Sequence, residues 1–176
     1  MKVYFAGVDK NLLVNVFAGV NILFSFASLR RSPGASIPTG SFSSVMLDSG
    51  AFSAFRSGKV IDALEYCDFI ERNWDEIDIY VSLDVIGDAE ASLVNLKLME
   101  SRGLSPMPVF HYGEDFDLLR RMRDSYPLVG LGGMVPRSRP RMFEWLSVVF
   151  EEFPHKYHGF GIGDVKLIDA LSLIHI

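Results

Sequence analysis

Two aspartates and a histidine occupy one kind of setting in this 176-residue sequence. Each closes a short apolar run: Val45-Met46-Leu47 ends in Asp48, Val81-Ser82-Leu83 ends in Asp84, and Val109-Phe110 ends in His111, with Glu114 three residues on. Another run ends in Gly132-Gly133, and the run from Tyr157 to Asp164 holds His158, Phe160 and a string of glycines. Carboxylates and an imidazole brought to one place act as general acids and bases or ligate a metal. Taken singly, each has a plainer explanation. Asp48 before Ser49-Gly50 caps a turn, as does Asp84; His111 is a core histidine; Gly132 and Gly133 are bulge glycines; Phe52 and Phe55 belong to the core. Their recurrence at successive run ends favours a shared site.

The elements that carry these residues alternate. Val3–Gly7 is an apolar run closed by glycine, and Asn21–Leu29 (NILFSFASL) is a second strand candidate. Arg30–Ser41 reads as a loop from its Pro, Gly and Ser content. Apolar residues then fall at Val60, Leu64, Cys67, Ile70 and Trp74, the spacing of a helix. Ile77–Gly87 is strand-like, and Asp88 caps a helix that stops at Gly103. Met107–Gly113 and Pro127–Val135 are strands separated by the amphipathic stretch DFDLLRRMRDSY. RPRMFEWLSVVFEEFP is a helix closed by Pro154, Tyr157–Asp164 is a further strand, and VKLIDAL starts another helix.

Strands alternating with helices imply right-handed crossovers and a parallel sheet. Parallel strands are covered on both faces and read as continuous apolar runs, as these do. No Gly-rich dinucleotide fingerprint follows the first strand, which weakens an open doubly wound sheet. About seven strand candidates approach the eight of a closed barrel. The expectation is α/β: a (β/α)8 TIM-type barrel, incomplete, with its last strand missing. The C-terminal strand ends of such a barrel share one face, where active sites lie. Asp48 is therefore expected to face a pocket with Asp84 and His111.

Composition narrows the classes. Hydrophobic residues make up 49% and charged residues 22%, enough apolar material for a sizeable core. The formal net charge of −5 gives no overall basic field for nucleic acid, although a local patch is compatible with it. Arg120, Arg121 and Arg123 read as solvated surface, whereas Arg137, Arg139 and Arg141 follow the Gly-Gly run and are candidates for phosphate. The single cysteine, Cys67, excludes an internal disulfide and a cysteine-rich zinc site within this chain, so a cytoplasmic location is the default. Residues 11–29 carry no charge and approach the length of a spanning helix. Asn11, Asn15, Asn21, Ser25 and Ser28 interrupt them, so two buried elements and no membrane association are expected.

DSGAF, SLD, PVFHYGE, LGGMVP and HGFGIG, in that order, resemble the tRNA-guanine transglycosylase superfamily. The likeness runs from about Val3 to Ile168, and the spelling DSGAFSAF is most similar to the DNA-modifying branch often carried by phages. The resemblance implies a (β/α)8 barrel that exchanges guanine in DNA or tRNA for a 7-deazaguanine base through a covalent enzyme–sugar intermediate. It implies that Asp48 is the general acid/base, that Phe52 stacks on the base, and that Asp84 binds its Watson–Crick edge. His111 falls near the place where tRNA enzymes use glutamine. Gly132 and Gly133 match the pair whose backbone approaches the base, and Phe160 falls on its second face, where tRNA enzymes place methionine. The chemistry agrees. A carboxylate accepts both N1–H and N2–H of guanine, apolar side chains clamp its faces, glycines admit a flat ligand to the backbone, and a base within a duplex must be extruded.

Such an exchange also needs a carboxylate nucleophile. In the family this is a later aspartate, beyond the HGFGIG motif, and this chain stops first. The family's Cys/His zinc cluster also lies further on, so no cofactor is expected here and a structural zinc belongs to the missing part. The last residues, LSLIHI, can be encoded by CTG TCT CTT ATA CAC ATC, the mosaic end of a transposon-based sequencing adapter. Residues 171–176 are expected to be such a scar and 1–170 a partial barrel domain, inactive without its nucleophile. Two other classes stay open. One is a metal-dependent TIM-barrel hydrolase with Asp48, Asp84 and His111 as ligands, although the sequence has no HxH pair. The other is a non-catalytic nucleic-acid-binding barrel.

Overall fold

The computed structural model describes residues 2–7, 19–31, 34–38, 40–135 and 137–162, which form seven strands and six α-helices. They divide into two compact units, Met1–Pro106 and Met107–Ile176.

The first unit holds a four-stranded parallel sheet in consecutive order: β1 (Tyr4–Ala6), β2 (Asn21–Ser25), β3 (Ser44–Asp48) and β4 (Ile79–Tyr80). β2 and β3 run in register from Asn21 opposite Ser44 to Ser25 opposite Asp48. Side chains alternate between the faces of a strand. Val45 and Leu47 therefore join Ile22 and Phe24 in the core, with Phe26 and Leu29 of α1 (Phe26–Leu29) and Tyr66, Cys67, Phe69 and Ile70 of α3 (Ala63–Arg72). The fully buried Phe26 ring packs 5.0 Å from Tyr66 and 5.1 Å from Phe69. Burial of such a ring contributes about 2–3 kcal/mol. The opposite face of β3 carries Ser44, Met46 and, at its end, Asp48. Asp62 caps α3 by accepting from the Glu65 N–H at 2.9 Å, and Asp88 caps α4 (Ala89–Ser101) in the same way through Ala91. Between β3 and α3 lies the short helix α2 (Ala51–Arg56).

The second unit holds a three-stranded parallel sheet, β5 (Val109–His111), β6 (Val129–Gly132) and β7 (Tyr157–Gly159), again in consecutive order. Phe110 points toward the helices. Its ring stacks 5.8 Å from Trp145 of α6 (Arg139–Glu152) and lies 5.7 Å from Phe116 of α5 (Phe116–Ser125). The other face carries Val109, His111, Gly130 and Gly132.

The alternating α/β order is the one the sequence predicts, and the elements differ in particular places. NILFSFASL is a strand only to Ser25; at Phe26 it becomes helical, because the Ala27 N–H donates to the Ser49 carbonyl (3.2 Å) and Phe26 and Leu29 turn into the core. The helix expected from Val60 begins at Ala63. Its buried face is Tyr66, Cys67, Phe69 and Ile70, while Val60 and Trp74 lie outside it and are exposed with Leu64. The run 77–87 is a strand only at Ile79–Tyr80, so Asp84 stands in the loop that follows. Phe52 and Phe55 are exposed, not part of the core. Asp164, VKLIDAL and 171–176 lie outside the described residues, as do 8–18. Among the described residues no helix is long and apolar enough to cross a membrane.

Candidate functional site

Asp48 leads into a turn that requires glycine at position 50. Gly50 adopts φ +77°, and a Cβ there would stand 2.4 Å from Ser25 Oγ and 2.5 Å from Ala27 Cβ. Glycine alone combines that dihedral with that closeness. The N–H groups of Ser49 and Gly50 donate to the Asp48 carboxylate and favour its charge. Burial opposes them more strongly and, with the nearby Asp84 carboxylate, pushes the Asp48 carboxyl up to about 6. Asp84 stands beyond the neighbouring strand, with the Ser82 hydroxyl 3.4 Å from its Oδ1. Phe52 projects from α2, 43% exposed, with the Arg56 guanidinium 5.9 Å from its ring centroid.

Tyr66 gives no signal in the sequence beyond a hydroxyl on a buried helix face. Fully buried, it donates its O–H to the carbonyls of Val81 (2.9 Å) and Leu47 (3.3 Å). It thus ties together the strand ends that lead into Asp48 and Asp84. Burial and those two carboxylates hold its pKa well above the usual phenol value.

The second unit gathers His111, Gly132 and Phe160 in one row. His111 pairs with Gly132, and the Phe160 N–H donates to the Leu131 carbonyl at 2.9 Å. The row beneath is Val109, Gly130 and His158. Both glycines are gaps that flanking side chains fill. A Cβ on Gly130 would meet the Phe160 ring at 2.7 Å, and one on Gly132 the His111 ring at 2.8 Å. The room at Gly132 is therefore used by His111. Gly133 takes φ +72°, with the Tyr112 N 3.0 Å from where its Cβ would be. Glu114 folds back over His111: its Oε2 accepts from the His111 backbone N–H at 2.7 Å and its Oε1 lies 3.4 Å from Nδ1. That carboxylate orients the ring. His158 meets Phe160 edge-on, with centroids 4.7 Å apart, and burial lowers its pKa to about 4, so it is neutral near pH 7. Gly130 was not singled out in the sequence; its alternation with Gly132 around Leu131, which sets both glycines on one face of the strand, is the signal that marks the two gaps.

Of the arginines after the Gly-Gly run, Arg137 stands 4.8 Å from the Tyr112 ring centroid; Arg139 and Arg141 are exposed. A groove of about 460 Å³ in the first unit is lined by Phe26, Arg30, Glu65, Phe69, Arg72 and Asn73, none of them a candidate residue. Arg30 is held there by Glu65 at 2.9 Å. Among the described residues no three His, Cys, Asp or Glu side chains are grouped to hold a metal ion. No protein-family model, curated protein or solved structure matches the chain.

Proposed function

We propose that this chain is a (β/α)8-barrel protein of the tRNA-guanine transglycosylase type, which exchanges guanine in DNA or tRNA for a 7-deazaguanine base. The observation that carries the reading is Asp48: a half-buried carboxyl held by a glycine-dependent turn at a strand end, within electrostatic reach of Asp84. A protonated Asp48 gives its proton to the departing guanine and recovers one from the incoming base. Asp84 accepts the base's N–H groups. Phe52, exposed on the helix that follows Asp48, takes one face of the base. The nucleophilic carboxylate that holds the sugar between the two steps is left unassigned. Strand order supports the barrel, because both sheets are wound consecutively and neither contains the reversal of a doubly wound sheet.

The test is incorporation of labelled guanine into DNA and into tRNA by the full-length protein. Exchange with one nucleic acid, weakened for the base by Asp84→Ala, is the expected result. No exchange with either, or unchanged base affinity in that variant, overturns the reading or the role of Asp84 respectively.

A further inference from the structure

α2 leaves the end of β3 with two benzene rings turned to solvent. Phe52 is 43% exposed and Phe55 61%, while Ala54 of the same helix is buried. Helical spacing sets Phe52, Phe55 and Arg56 at i, i+3 and i+4, on one side of the helix. The Arg56 guanidinium already stands by the Phe52 ring. Lys59, just past the helix, is exposed, and no carboxylate occurs between Asp48 and Asp62. In a chain with a formal charge of −5, this is a local cationic stretch interleaved with exposed aromatic rings. Rings in water beside cations suit an unpaired nucleic acid: bases stack on the rings and phosphates meet the cations.

We propose that α2 and the turn after it dock an unpaired stretch of nucleic acid. Phe55 stacks on a base that flanks the one held at Asp48, and Arg56 and Lys59 take the adjoining phosphates. The flanking role rests on the base-exchange reading; the docking surface itself does not. The cations select an anionic partner over a purely apolar one, and the exposed rings favour nucleic acid among anionic partners because bases stack on them.

The test is fluorescence anisotropy of a short labelled single strand, as DNA and as RNA, and of the matching duplex, across a salt series. The wild-type chain should bind the single strand more tightly than the duplex, and the DNA and RNA arms identify the nucleic acid. Phe55→Ala should weaken single-strand binding about tenfold. Arg56→Gln should flatten the slope of log affinity against log salt by about 0.7. Both side chains are exposed, and circular dichroism checks that the variants fold. Wild-type affinity in both variants, a preference for duplex, or no binding at all overturns the inference. Base exchange measured alongside separates the two readings. Exchange with Phe55→Ala binding as wild type removes the docking surface alone; Phe55-dependent binding without exchange removes the exchange reading alone.

Discussion

Asp48 and His158 are both half-buried ionisable groups on strands of parallel sheets, one in each unit, and loss of solvent moves them in opposite directions. It raises the Asp48 carboxyl to about 6 and lowers the His158 imidazole to about 4. The physical cause is the same, since a charge loses solvation in either case. The consequences differ. The first unit keeps a carboxyl that can hold or release a proton near neutral pH, with a second carboxylate close by. The second unit keeps its histidine uncharged and fills its two glycine gaps with an imidazole and a benzene ring. One rim is suited to moving protons; the other is suited to presenting a shaped surface.

The sharpest way to break this contrast is Asp48→Asn. Proton transfer by a positioned group contributes about 10²–10⁴-fold, so labelled-guanine exchange should fall by roughly three orders of magnitude. Stability should move the other way. A folded pKa above the unfolded 3.8 means that folding binds the proton more tightly, so stability is lost as pH rises from there through about 6. Above that range the asparagine variant should be more stable than wild type by roughly 2–3 kcal/mol, and below about pH 4 the difference should vanish. Urea unfolding at both ends of the range measures this, and equal stability at high pH would mean that Asp48 carries no burial cost.

Glycine replacements sharpen the comparison next. Gly50→Ala combines a forbidden dihedral with closeness to the Ala27 backbone and Cβ, and should cost about 3 kcal/mol or more. Gly132→Ala meets the His111 ring, which can move, and Val109 Cγ1 at 2.9 Å, and should cost about 1–3 kcal/mol. Adding His111→Ala should recover part of that second loss and none of the first; a double variant as unstable as the sum would show that His111 does not occupy the gap.

His158 supplies the opposite slope. Its folded pKa lies below the unfolded value of 6.5, so stability should be lost as pH falls from 6.5 through about 4. Replacing it with asparagine should remove roughly 2–3 kcal/mol of that acid-side loss. An NMR titration of His158 near its unfolded pKa would overturn the assignment.

Much of this architecture was legible because parallel strands are buried on both faces. VMLD and VGLG could be read as strands from their apolar runs, and Asp88 could be read as a cap from its place before a helix. What escaped depends on neighbours distant in sequence. The helical turn at Phe26 follows from the Ser49 carbonyl, which no pattern in NILFSFASL announces. Val60 and Trp74 fit a helical period yet flank the helix. Phe52 and Phe55 look like core residues because composition cannot tell which face of a six-residue helix is covered. As candidates, Asp48, His111 and Phe160 were visible as chemistry closing apolar runs, and so was Asp84, although it stands in the loop beyond β4. Tyr66 was not, because its role lies in two carbonyls on separate strands.

Tyr66→Phe carries the smallest expected effect and tests what holds the first rim together. The Leu47 carbonyl keeps a partner without the hydroxyl, since it also accepts from the Val81 N–H at 2.9 Å. The Val81 carbonyl loses the phenol donor, so the cost should be about 1–2 kcal/mol. Tyr66 stays neutral throughout the range in which Asp48 titrates, because its pKa lies well above the usual phenol value. The loss should therefore be the same at pH values on either side of the Asp48 transition if the hydroxyl acts only on the strand ends. A loss that grows as Asp48 ionises would instead show that the hydroxyl's dipole is coupled to the carboxylate and that Tyr66 tunes the first rim.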